Sequence, residues 1–181
     1  MPISGDLAIS KELGITLDQL SAWRSYAREP DHPLWIQPLT IIVGGITDEE
    51  PLNQAIDRFI RTNDIFRLGF ERNQSTVPQR AIIRDQPIPV DVDDLREIKP
   101  DELEAEINWI IFDECEEYFD ISNDHPVRFR LLQILDDQWV VLMLLHRTIY
   151  HRGAKNLFIE SFVSALQTSF SPEKEMLHDN E

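Results

Sequence analysis

The chain has 181 residues, of which 42% are hydrophobic and 9% aromatic, enough for one globular domain with a core but not for a second full one. Its formal charge of -16, from 33 acidic against 17 basic residues, repels phosphate backbones and anionic membrane surfaces, so neither nucleic acid nor membrane is an expected partner. Cys115 is the single cysteine, which excludes an intrachain disulfide or a Cys/His metal knuckle and fits a reducing cytoplasm. The N-terminus MPISGDLAISKELG lacks the basic and apolar regions of a signal peptide, and the longest apolar run, Trp139 to Leu145, has seven residues, so cytoplasmic localisation is expected.

Residues 1–14 read as a tail. Thr16 then precedes LDQLSAWRSYA, where Leu17, Leu20, Trp23 and Ala27 recur at helical spacing, so Thr16 is the expected N-cap of an amphipathic helix that EPDHP ends. Leu34 to Val43 is β-branched and aromatic and closes on Gly44 and Gly45, which predicts a strand; Pro38 marks it as an edge or a bulge. Thr47 to Asn63 opens with a cap and acidic first turn, then places Leu52, Ala55, Ile56, Phe59 and Ile60 on one face of a helix that must bury it against a sheet. Phe66 to Glu71 and Gln79 to Ile83 predict two short strands around the polar turn ERNQSTVP, and DQPIPVDVDDL reads as an extended connector.

Asp101 to Tyr118 predicts a helix with Leu103, Ile107, Ile110, Ile111 and Cys115 inward. Between Asp85 and Asp124 there are 15 acidic residues against only Arg96 and Lys99, either a solvated face with its connector or an acidic docking surface for a basic partner. Val127 to Leu135 and Trp139 to Leu145, joined at Asp136-Asp137-Gln138, form a predicted hairpin whose second strand is apolar on both faces and therefore belongs mid-sheet. Asn156 to Phe170 closes the domain as a helix with Leu157, Phe158, Phe162, Ala165 and Leu166 on its stripe, and residues 171–181 are a polar tail.

The stretch LMLLHRTIYHRG leaves this central strand and enters the last helix, a place where α/β folds put ligand and catalytic groups. His146 is a candidate general base, and equally a structural histidine hydrogen-bonded at a strand end. Arg147 beside it stays cationic and lowers a neighbouring histidine's proton affinity. His146 and His151 lack a third ligand, so no metal site is expected. The basic cluster Arg147, His151, Arg152 and Lys155 either binds an anion at the start of the last helix or offsets nearby carboxylates.

Four stretches make residues 15–170 resemble the N-terminal lobe of a condensation domain of nonribosomal peptide synthetases, in the chloramphenicol-acetyltransferase-like superfamily. TLDQLSAW is similar to the family's S-x-A-Q-x-R-L-W, keeping Gln19 and Trp23 with Ser21 at the arginine. TNDIFRLGF is similar to R-H-E-x-L-R-T-x-F, keeping Arg67, Phe70 and an acid at Asp64, with Asn63 at the histidine. Tyr118-Phe119-Asp120-Ile121, then Pro126 and an arginine-rich strand, is similar to F-D-L…P-L…R. The fourth is HRTIYHR on H-H-x-x-x-D-G: ungapped, His146 takes the first histidine, Arg147 the second, His151 the aspartate and Arg152 the glycine, so three of the four defining residues differ. A one-residue slip would make His146 the second histidine but would put Asn156 on an apolar helix position, and the ungapped register is preferred.

The resemblance implies an α/β fold, an α+β two-layer sandwich with a mixed central sheet and helices packed on it. It also implies that the second histidine's place lies at the acyl junction. Arg147, a guanidinium with no lone pair to offer, cannot accept a proton there. His151 would leave a strand arginine such as Arg128 or Arg130 without its carboxylate, and Arg152 would suit a positive-φ position poorly. Complete condensation domains have two such lobes with the reaction tunnel between them. The expectation is therefore a catalytically silent interaction or structural module of peptide assembly. Its partners would be other synthetase domains or a complementary lobe, with a homodimer as a further option, and it would need no cofactor beyond a carrier protein's phosphopantetheine. The alternatives are half of an acyltransferase completed in trans, with His146 as base, and a small-ligand or anion-binding protein using Arg147, Arg152 and Lys155.

Overall fold

The computed structural model describes residues 12–13, 16–29, 32–72, 78–117, 119–121, 123–150 and 152–170. Its centre is the strand that the apolar run demands. Gln138–His146 (β7, numbered by order along the chain) is buried from Trp139 to His146, on both faces, as required of a strand covered on two sides. Val127–Leu135 (β6) pairs with it antiparallel across the short Asp136-Asp137 turn, with a register shift between Gln133 and Leu135. Ile36–Gly44 (β2) lies antiparallel on its other side. The order is β2-β7-β6-β5, so β2 is an edge, where Pro38 removes no ladder hydrogen bond that the sheet needs.

The fourth strand differs from expectation. Val90–Asp94 (β5), read from its prolines and aspartates as a connector, pairs parallel to β6 and makes the sheet mixed. Asp93, the residue after Val92 on this strand, reaches Arg130 of β6, so a long-range ion pair fixes what local propensity disfavours. A smaller antiparallel sheet has the order β1-β4-β3, from Glu12–Leu13, Pro78–Ile83 and Leu68–Arg72. Its two-residue β1 falls in the segment expected to be a tail. The remaining residues of 1–14 and the polar tail 171–181 lie outside the described residues.

The described residues include four α-helices, Leu17–Tyr26 (α1), Glu50–Thr62 (α2), Pro100–Glu116 (α3) and Lys155–Phe170 (α4). Thr16 caps α1 in a reciprocal capping box with Gln19. α2 starts later than expected, at Glu50. Its cap residue Glu49 makes no side-chain bond, Asp48 accepts instead from the Glu50 N–H (3.2 Å), and Pro51 occupies the first turn, where its missing N–H costs nothing.

Neighbouring residues of β6 show where the helices lie. Phe129 meets Phe59 of α2 edge-to-face, and Phe59 meets Phe162 of α4 (5.6 Å, 89°), so α2 and α4 share that face. Arg130, pointing the other way, pairs with Glu114 of α3. The α/β class and the mixed central sheet with helices packed on it stand, and β7 is buried on both faces. On α4, Leu157 is 64% exposed instead of inward; the stripe runs Phe158, Phe162, Ala165 and Leu166, and Leu157 lies one residue, about 100°, off it. No helix among the described residues is long and apolar enough to cross a membrane.

Candidate functional site

The loop from β7 to α4 turns immediately. The His146 N–H donates to Pro126 O (2.9 Å), Arg147 N–H to Trp35 O (2.8 Å), and Ile149 and Tyr150 N–H groups return to His146 O (3.0 and 3.2 Å). These bonds pin the strand end and send alternate side chains to opposite sides. His146 goes inward and is fully buried. Tyr26 stands at 88° to its ring (5.0 Å between centroids), and Trp35 and Phe119 lie at 6.4 and 6.1 Å. The Tyr26 hydroxyl donates to Phe119 O (2.6 Å), so α1 and the segment before β6 hold this aromatic box together.

The imidazole's two nitrogens have different surroundings. Nδ1 accepts from the Thr148 N–H (3.2 Å) and lies 3.0 Å from Thr148 Oγ1. A neutral ring whose Nδ1 accepts carries its proton on Nε2. Nε2 is buried and has no hydrogen-bond partner among the described residues. Burial first, and the Arg147 charge second, hold the ring's pKa down to about 3, so His146 is neutral at physiological pH and a feeble base.

Arg147 goes outward. Its guanidinium lies 6.0 Å from the centre of the Trp35 ring, and the residue borders a groove of about 670 Å³ between α1 and the turn 147–150. Gln19 and Ser21, from the first motif, border the same groove, whereas Trp23 of that motif is buried against Phe70 (5.3 Å). Among the described residues Lys155 is exposed and does not border it. His151 and the Arg152 side chain lie outside the described residues.

Two expected penalties of the altered motif are absent. Arg128 pairs with Glu117 (2.7 Å) and lies over the Phe119 ring (3.9 Å), while Arg130 pairs with Asp93 and Glu114, so both strand arginines find carboxylates elsewhere. Nor does Arg152 need a glycine's freedom: among the described residues only Gly45 has a positive φ, and Arg152 opens a 3-10 turn. The second motif is a brace. Arg67 bridges Asp64 (2.6 Å) and Asp85 (3.0 Å), and the Asn63 amide donates to Phe59 O (2.7 Å) and Ser161 Oγ (3.1 Å), tying α2 to α4.

Thr148, Trp35 and Tyr26 were not expected as site residues. Only the His-x-Thr spacing hinted at the first; the other two are brought in by tertiary packing. Among the described residues no group of His, Cys, Asp and Glu side chains is arranged to hold a metal ion.

The condensation domain family model matches residues 13–172. Gramicidin S synthase 2 of Brevibacillus brevis is 23% identical over 95 residues, covering 52% of this chain and 2% of that protein. Bacitracin synthase 3 of Bacillus licheniformis is 22% identical over 125 residues, 69% of this chain and 2% of that one. Among solved structures, the starter condensation domain of rhizomide synthetase superposes with a TM-score of 0.73 at 18% identity, over 86% of this chain and 39% of that one. A tallysomycin biosynthesis protein gives 0.74 at 16%, over 88% and 38%. The chain thus spans a small fraction of its curated relatives and under two-fifths of these structures.

Proposed function

The chain belongs to the condensation domain family, and from that membership we propose that it is a catalytically silent lobe in nonribosomal peptide assembly, an interaction and structural module rather than a transferase. The observation that carries this reading is the direction of His146. Its ring is enclosed by Tyr26, Trp35 and Phe119, its Nδ1 is taken up by Thr148, and it faces away from the groove that Arg147 borders. A base must reach its proton with a free lone pair and a matched pKa. His146 lacks both, and a guanidinium has no lone pair to offer.

On this reading the partners are other domains of the assembly line, together with a companion lobe, since the solved structures it matches extend well beyond it. No cofactor of its own is required, a phosphopantetheine arm being the carrier protein's, and we place the protein in the cytoplasm. The test is a transfer assay with donor and acceptor carrier proteins loaded, and this chain as the sole condensation component. No product above the protein-free control is expected. Turnover that disappears in His146→Ala would overturn the reading.

A further inference from the structure

Helix α3 breaks two rules of helix charge. Seven of its residues are acidic and none is Lys, Arg or His. Asp113, Glu114 and Glu116 stand near its C-terminus, where the macrodipole favours cations, and Glu102 and Glu106 repel each other at one-turn spacing. Lys99, its N-cap, pairs with Glu102 (3.1 Å) and Arg130 pairs with Glu114; the other five carboxylates have no cation within ion-pair distance among the described residues. The same helix carries Trp109 and Phe112, 59% and 63% exposed, the only exposed Trp, Tyr or Phe side chains among the described residues. Glu102, Ala105, Trp109, Phe112, Asp113 and Glu116 are all exposed and form one stripe at helical spacing, with the aromatics at its centre and acids at both ends. Ile110 and Glu114, four apart, are buried, which fixes this stripe outward.

Neighbouring exposed aromatics are what protein interfaces use as anchors, and the uncompensated charge around them selects the partner. A second copy of this chain, with formal charge -16, would bring acids against acids. The chain's own ends do not supply the missing cations: residues 1–11 hold one Asp and one Lys, and residues 171–181 hold four acidic residues against one Lys. A helix satisfies its backbone groups internally and offers no edge to an added strand, so the partner must bring side chains. We propose that the outer face of α3 docks a basic amphipathic helix of another protein or domain. Its apolar stripe lies over Trp109 and Phe112, and its Lys or Arg residues meet Glu102, Asp113 and Glu116. Those cations also complement the helix C-terminus that the acids of α3 oppose. The proposal rests on the interaction role argued above and gives it a surface; it is read by binding rather than by transfer, so either can fail alone.

The probe is a Leu/Lys peptide of about 14 residues with leucines at helical spacing, titrated into the full chain. Anisotropy of the labelled peptide should show saturable binding. The unlabelled peptide should shift tryptophan emission to the blue, because Trp109 leaves water while Trp23 and Trp139 are already buried. Trp109→Ala should lose that shift, and Trp109→Ala, Phe112→Ala and the double variant Asp113→Asn/Glu116→Gln should each bind at least about tenfold more weakly. All four residues are exposed, so thermal melts of these variants should not fall below the parent's. Leu157→Ala, which removes an exposed apolar side chain from α4, should bind like the parent. A peptide of the same composition in scrambled order keeps the charge, loses the apolar face and should bind at least about tenfold more weakly. No saturable binding, a scrambled peptide as tight as the amphipathic one, or Trp109→Ala/Phe112→Ala binding like the parent would each overturn the proposal.

Discussion

At the scale of single residues, the decisive event is that two neighbours, His146 and Arg147, are sent to opposite sides of one turn. The buried histidine should leave a mark on acid stability. The folded ring titrates near 3 and an unfolded one near 6.5, so between these values the unfolded chain takes up the proton first. Stability is therefore complete above about pH 6.5 and falls as pH is lowered, by at most about 1.4 kcal/mol per pH unit. Burial also lowers the His125 pKa and adds a share of the same sign. We expect urea unfolding between pH 6.5 and 5 to show a shallower pH slope in His146→Phe than in the parent. An unchanged slope would mean that the ring is not held neutral by burial.

At the scale of elements, the packing of α2 on α4 explains which apolar residues count. Phe59 is fully buried and touches Phe66 (4.6 Å), Phe129 and Phe162, so it joins α2, the small sheet's approach, β6 and α4. Phe59→Ala should cost about 3–5 kcal/mol in chemical denaturation. Leu157→Ala, one residue off the buried stripe, should stay within about 0.5 kcal/mol. A comparable loss at both positions would contradict the orientation of α4. Helical periodicity made α2 and the body of α4 legible, because a 3.6-residue repeat is written in the chain itself. It also put Leu157 on the stripe, which the structure corrects, since an apolar residue at the rim of a stripe fits either side. The strand β5 was hidden for a different reason: parallel pairing joins residues far apart in the chain, and its aspartates resemble a connector until Arg130 is placed beside them.

For the whole molecule, charge is the dominant feature. With 33 acidic residues against 17 basic ones, folding brings like charges together faster than the ion pairs at Arg67, Arg96 and Arg130 can offset them. Raising ionic strength from about 0.01 to 0.15 M shortens the screening length from about 30 to 8 Å, which weakens diffuse repulsion more than close pairs. The melting temperature should rise over that range in a thermal scan. A fall would show that the ion pairs outweigh the net field.

The sequence by itself determined the α/β class, the central hairpin, the capped first helix and the family, because alternation, helical spacing, capping and local motifs are carried by residues close together in the chain. Its preferred, ungapped register puts Arg147 at the place of the family's second histidine, an expectation carried by resemblance. Only the tertiary structure decided that both strand arginines keep carboxylate partners and that His146 turns into an aromatic box. Only there, too, do Gln19 and Arg147 come to border one groove. Each of these depends on side chains contributed by elements distant in the chain, and no local pattern encodes which of them will meet.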